Sequence, residues 1–278
     1  LYYNVGFLRS IGVEMPRSLD SSLSWEEFIR IARQLRQKGD APYAFAMAWQ
    51  NSAAYRWLPF LYQHGGQLLD ADLRQPQAAS TKGMETIAWT QSWFKEGLVP
   101  PSTSVKSSEQ TQNLFANGTI AMLLGGDWQI PFLQENMTKY QWDVTYMPRD
   151  VAMASDLGGN CLAISRDSKH PDIAADFLKF VVNEENMRIF VTNAQFLPVR
   201  TALMEQQLQY ALRPTAMKVY VEQATTIPDH LVRTVTMPNF SKINAAMADE
   251  LDLAFTSGQN AKATAQNLDE KIRTVLGG

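Results

Sequence analysis

The sequence predicts an α/β protein with a partly parallel sheet covered by helices. Short apolar runs bounded by glycine read as buried strands, capped amphipathic segments read as helices, and the two kinds alternate along the chain. With 278 residues, of which 45% are hydrophobic, the chain can bury a large core as one large domain or two smaller ones.

Residues 24–38, "SWEEFIRIARQLRQK", open on Ser24 as N-cap with Glu27 three residues later. Phe28, Ile31 and Leu35 then recur at helical spacing before Gly39, so this segment is predicted to be an amphipathic helix. A second helix is expected from Ala53 to Tyr62, closed near Gly65 by a left-handed turn. Residues 81–96 repeat the pattern and stop at Gly97, and "SSEQTQNLFANG" gives another helix stopped by Gly118. "TIAMLL" (119–124) follows, six apolar or β-tolerant residues between glycines, the pattern of a buried strand. "WDVTYM" (142–147) and "CLAIS" (161–165) read as further strands. Pro171 stands where a first helical residue needs no N–H, ahead of "DIAADFLKFVV", and "EENMRIFVTN" makes one more helix before the loop "FLPVR". From Pro214 to Val275 the chain is predicted mostly helical.

Lys and Arg number 25 against 28 Asp and Glu, so a net charge of -3 gives no electrostatic reason to bind nucleic acid or an anionic membrane. One cysteine, Cys161, cannot form an intrachain disulfide, and its apolar neighbours suggest an inert core thiol. His64, His170 and His230 are too scattered for a zinc ligand spacing. No apolar run approaches the roughly 20 residues that span a bilayer. The chain opens on "LYYN" without an initiator methionine or a basic-then-apolar signal segment, which reads as a mature or trimmed piece.

Enzymatic motifs are missing: no Gly-x-Ser-x-Gly elbow, no phosphate loop, and no Gly-x-Gly-x-x-Gly after a strand, so no cofactor is expected. Glu26 with Glu27 and Glu184 with Glu185 fall in first helical turns, where the helix dipole accounts for them. Asp70 and Asp72 read as a turn, and Asn117, Asn136 and Asn239 match the short glycosylation pattern only formally.

What remains is a set of aromatic and small polar residues beside predicted strands. Trp49, Gln50 and Asn51 follow "YAFAMA"; Asp127 and Trp128 follow "TIAMLLGG"; Gly158, Gly159 and Asn160 precede "CLAIS". In α/β sheets ligands collect at the carboxyl ends of strands. Sugars suit such residues, because their C–H faces stack on indole while Asn, Gln, Asp and backbone amides bond their hydroxyls. Of the seven tryptophans most are expected in the core, with Trp49 and Trp128 as ligand platforms.

Taken in order, "LYYN", "SWEEF", "HGGQLLD" (64–70), "FANGTIAMLLGGDW" (115–128), "GGNCLAISRDSKHPDIAADFLKFV" (158–181), "FLPVR" and "MPNF" (237–240) resemble the extracellular solute-binding proteins of bacterial carbohydrate importers, the class of the maltose-binding and glycerol-3-phosphate-binding proteins. The resemblance implies a periplasmic-binding-protein-like, two-lobe type II fold, with a sugar held between lobes and delivered to an ABC-transporter permease by a periplasmic protein or cell-surface lipoprotein. It further implies that the front of the N-terminal lobe is absent. Residues 1–160 and 210–278 would belong to the C-terminal lobe and 161–209 to a remnant of the other. The helix bearing Ile173, Phe177 and Phe180 would then lose its sheet and show an apolar face. By the same resemblance Trp128 is a stacking aromatic, with Gly125 and Gly126 turning the chain so that it faces the cleft. Trp49 to Asn51 and Gly158 to Asn160 would be cleft contacts. Met247 falls near a second stacking position of maltose-type relatives, which points away from a maltodextrin ligand. Two other classes stay open: a polysaccharide-acting hydrolase or carbohydrate-binding module, the hydrolase needing a second carboxylate beside Asp127, and a helical interaction protein.

Overall fold

The computed structural model describes residues 1–156 and 158–277; Leu157 and Gly278, which fall inside the expected lobe boundaries, lie outside the described residues. In chain order the elements are β1 (Tyr2–Asn4), α1 (Val5–Ser10), α2 (Trp25–Lys38), β2 (Tyr43–Met47), α3 (Leu58–Gln63), α4 (Thr81–Lys95), α5 (Thr111–Ala116) and β3 (Ile120–Leu124). Then come α6 (Ile130–Asn136), β4 (Trp142–Val144), α7 (Pro171–Val181), α8 (Glu184–Ala194), α9 (Thr201–Met204), α10 (Pro214–Ala224), α11 (Asp229–Thr236), α12 (Phe240–Ser257) and α13 (Ala261–Leu276). Single 3₁₀ turns sit at Ala54–Trp57, Pro101–Thr103 and Asp127–Gln129.

The strands form one mixed sheet in the order β2-β3-β1-β4. β2 runs parallel to β3 with Met47 opposite Leu124, while β1 is antiparallel to both β3 and β4. Tyr2 lies opposite Leu123 and opposite Val144, so the carboxyl ends of β2, β3 and β4 share one edge of the sheet. Strand alternation sends Tyr3, Phe45, Met47, Met122 and Leu124 into one core, with α2, α3, α4, α12 and α13. Tyr2, Ala46 and Leu123 alternate into the other, under α5, α6 and α10, and Ile120 at the first position of β3 joins them there. β1 is only three residues long, too short to leave a sequence pattern.

Local chemistry explains the helix ends. Ser24 accepts the Glu27 amide at 3.1 Å while Glu27 accepts the Ser24 amide at 2.7 Å, a reciprocal capping box. Gly39 ends α2 and Gly65 closes the turn after α3, both in the left-handed region (φ 79° and 82°). Asp70 accepts the amides of Arg74 and Gln75, as expected of a turn residue.

Two expectations are corrected. Residues 161–165 form no strand, and Cys161 is exposed rather than a core thiol. Among the described residues no strand runs beside this segment to pair its N–H and C=O groups, and Leu162 is exposed. The apolar side of α7 is open as expected: Ile173, Phe177 and Phe180 are 69%, 60% and 62% exposed.

At the amino end of α4, a Cβ on Gly83 would overlap the carbonyl oxygen of Ala78. Backbone cannot step aside as a flexible side chain can. Gly83→Ala is therefore expected to cost about 1–3 kcal/mol in urea unfolding, without loss of two-state behaviour.

Candidate functional site

The shared carboxyl edge gathers three loops, 48–53 after β2, 125–129 after β3 and 145–160 after β4. Ala48 donates its amide to Leu124 O at 2.8 Å, extending the parallel pairing one residue beyond the strands. This brings the first two loops side by side. The third is fastened from the core: Trp25 Nε1 donates to Gln63 Oε1 at 2.6 Å, and Gln63 Nε2 donates to Ala154 O at 2.8 Å.

Trp128 is the exposed tryptophan, at 39%. Gly126 lies in extended backbone (φ -114°, ψ 175°), so it does not supply the expected sharp turn. A Cβ at Gly126 would collide with the Trp128 ring, and one at Gly125 with the Gln129 carboxamide. The two glycines thus provide close approach rather than a special backbone conformation: the indole lies down on Gly126. Tyr2 Oη donates to Gly126 O at 2.6 Å and pins that backbone from the sheet.

Over the indole sits Arg56, from the 3₁₀ turn before α3, with its Cζ 4.5 Å from the Trp128 ring centroid and 5.4 Å from that of Tyr55. Arg56 also donates to Ala48 O, and its Nε stands 3.7 Å from Asp156 Oδ2. Burial pushes the Asp156 carboxyl above its ordinary range, opposed by Arg56. Asp127 accepts the Trp128 amide at 2.9 Å. Burial, with Asp156 nearby, raises its pKa to about 6 against the lowering effect of the amides of Trp128 and Leu197. Gly158 lies where a Cβ would be 3.7 Å from Tyr55 Oη, so the third loop approaches the 3₁₀ turn that follows the first.

Trp128, Asp127 and Gly158 are therefore brought to one edge, joined by Tyr55, Arg56 and Asp156, which sequence reasoning missed. Tyr55 and Arg56 read as ordinary helix residues, and only their place directly after the Trp49–Asn51 loop could have singled them out. Trp49 is a correction. It is 2% exposed, stacks at 5.3 Å on Phe255, and donates Nε1 to Thr103 O at 2.7 Å. Its indole is a core residue and offers no ligand face, because α12 and α4 cover it. Gln50 is half-buried with Oε1 unpartnered. Asn51 is exposed in the left-handed region (φ 58°), and its amide donates to Ser107 O at 2.8 Å. Gly159 and Asn160 are exposed. Met247, near the second expected stacking position, is buried in the core on α12.

The sequence profile of the bacterial extracellular solute-binding proteins matches residues 1–188, and the chain belongs to that family. Its fold is periplasmic-binding-protein-like. A solute-binding protein of an ABC transporter from Thermotoga lettingae, solved with alpha-D-tagatose, matches with TM-score 0.80 at 18% identity, over 99% of this chain and 69% of its own. UgpB from Mycobacterium tuberculosis in complex with glycerophosphocholine matches with TM-score 0.79 at 18% identity, over 99% and 68%. By sequence, a maltodextrin-binding protein of Bacillus subtilis is 24% identical across 66% of this chain and 43% of its own length. A putative binding protein of Brucella abortus is 22% identical across 72% and 48%. The chain spans about half the length of the curated relatives it matches.

Two outcomes are expected. Trp49→Ala should cost about 3–5 kcal/mol of stability in a denaturant titration, as for other buried aromatics. For Asp127 the folded pKa of about 6 lies above the ordinary 3.8, so its stabilising contribution is present below 3.8 and lost as pH rises through 6. Asp127→Asn should flatten that part of the melting-temperature profile and, at neutral pH, recover on the order of 2 kcal/mol.

Proposed function

We propose that this chain is part of the ligand-capturing component of an importer, holding a sugar or related polyol at the Trp128 edge for delivery to a membrane permease. The observation that carries this reading is the indole of Trp128, 39% exposed and held on Gly126 at the carboxyl edge of the parallel strands, with Asp127 next to it in the chain and Asp156 paired with the Arg56 that lies over the ring. An aromatic face beside carboxylates matches the two surfaces of a sugar, C–H on one side and hydroxyl on the other. Family membership supports the same role. So do relatives whose names refer to tagatose, maltodextrin and multiple sugars. The place of action is then outside the cytoplasmic membrane, in a periplasm or on a lipid anchor.

In this reading residues 1–160 and 210–278 make one lobe and 161–209 contribute to a second. The segregation of apolar clusters supports that division. The two larger cores draw their buried members from residues up to Ala154 and from Tyr210 onward, whereas Met187, Val191 and Leu203 form a small cluster of their own. The ligand enters between the lobes, and closure follows from contacts made only in the bound state. No bond-making step is proposed.

A hydrolase reading draws on one observation: Asp156 joins Asp127 at the edge, and burial raises both carboxyls. Turnover of aryl glycosides by the chain would favour it over simple binding.

The direct test is a titration of intrinsic fluorescence with maltose, maltotriose, D-tagatose and glycerophosphocholine. A saturable change is expected with one of them, and Trp128→Ala should weaken binding by about 1–3 kcal/mol, roughly 5- to 150-fold in Kd. Unchanged affinity in a variant that melts like the parent would remove Trp128 from the site.

A further inference from the structure

The face of Trp128 that makes it a stacking platform is already occupied by a cation of the same chain. The Arg56 guanidinium lies 4.5 Å from the indole centroid, and the Gly126 backbone carries the ring. A flat ligand cannot take the covered face while the guanidinium remains there. The guanidinium is also incompletely satisfied: one nitrogen donates to Ala48 O, but Nε is buried without a hydrogen-bond partner. Asp156 Oδ2 stands 3.7 Å from it, beyond hydrogen-bond reach. A small shift off the indole toward Asp156 would turn that approach into a charge-assisted hydrogen bond.

We propose that Arg56 gates the Trp128 face and so determines which ligands can use it: in the unliganded chain the guanidinium covers the indole, and a stacking ligand exchanges with it as the guanidinium passes to Asp156. The side chain thus has two resting places, one over the indole with Asp156 at ion-pair distance and the other off the ring and hydrogen-bonded to Asp156. A ligand ring selects the second by offering the indole a better partner than the cation. Only rings whose contact outweighs the guanidinium's gain entry, which makes Arg56 a specificity-determining residue. The ligand half of this inference rests on the sugar-capture reading; the covering of Trp128 does not.

The covering is tested without any ligand, by acrylamide quenching of the whole chain, the Trp128 signal being the difference between the parent and Trp128→Phe. In Arg56→Ala the quenching constant of that signal should rise at least about twofold, because removing the cation exposes the ring. Arg56→Lys, a slimmer cation, should fall between. Should Arg56→Ala not fold, Arg56→Gln replaces it. An unchanged constant in a variant that melts like the parent overturns the gate.

The exchange is tested with maltose, maltotriose and D-tagatose. Arg56→Ala should bind the stacking sugar about 2- to 5-fold more tightly, the span expected from removing a partly exposed cation–π competitor. Asp156→Asn, which removes the second resting place, should bind it more weakly. Weaker or unchanged binding in Arg56→Ala overturns the exchange. If no sugar binds even the parent, the sugar-capture reading fails, while the quenching result still decides whether Arg56 covers Trp128.

Discussion

Everything at the candidate site depends on the parallel pairing of β2 and β3. Parallel strands end together, and the register that sets Met47 opposite Leu124 places loops 48–53 and 125–129 against each other at one edge. β1 then fixes the polarity of the rest. Being antiparallel to both neighbours, it brings the carboxyl end of β4 to the same edge, and with it the loop that carries Asp156 and Gly158. A one-residue slip of β2 would send Phe45 and Met47 to the opposite core, so the pattern that buries these side chains also holds the loops in place.

Trp49 and Trp128 follow adjacent strands with similar sequence flanks, and they have opposite fates. Trp49 turns inward because Phe94, Trp93 and Phe255 form a slot in which aromatic rings stack at 5.3 to 6.4 Å, and Thr103 O takes its N–H. Trp128 is followed by a turn that enters α6, and its ring is left lying on Gly126. The slot around Trp49 is built by α4 and α12, which lie far from it in sequence, so no local pattern could separate the two tryptophans. Helix ends were legible because their causes are local, as with Ser24, Glu27, Gly39 and Pro171. Strand "TIAMLL" was legible because it is buried on both faces. "CLAIS" has equal strand propensity yet stays irregular, since a strand exists only where another lies beside it. Arg56 and Asp156 escaped notice for the same reason: their meaning comes from a contact across 100 residues of chain.

Electrostatics at the edge sets the Arg56 cation against the Asp127 and Asp156 acids. Arg56 holds the Asp156 carboxyl down while burial drives it up, and Asp156 in turn helps raise Asp127. Charges that are partly dehydrated and incompletely paired are poised to accept hydrogen bonds from outside. A ligand hydroxyl donating to Asp127 or Asp156 meets an acceptor whose desolvation has already been met in folding, so little further reorganisation opposes binding.

The segment from Cys161 to Gln209 enters this balance from the side. It meets the main body where Ala211 donates its amide to Thr192 O at 3.0 Å, Tyr210 Oη donates to Phe196 O at 3.2 Å, and Leu197 and Leu208 lean on the second core. Leu197 also brings its amide to Asp127. Burial of the Asp127 carboxylate at this edge and the nearby amides of Trp128 and Leu197 act on its pKa with opposite signs. Burial, helped by Asp156, prevails, since the pKa lies above its ordinary value. A movement of this segment away from the edge would rehydrate Asp127, lower its pKa and release the amide together. Its small buried cluster and an α7 face open to solvent are the features of a region whose local opening costs little.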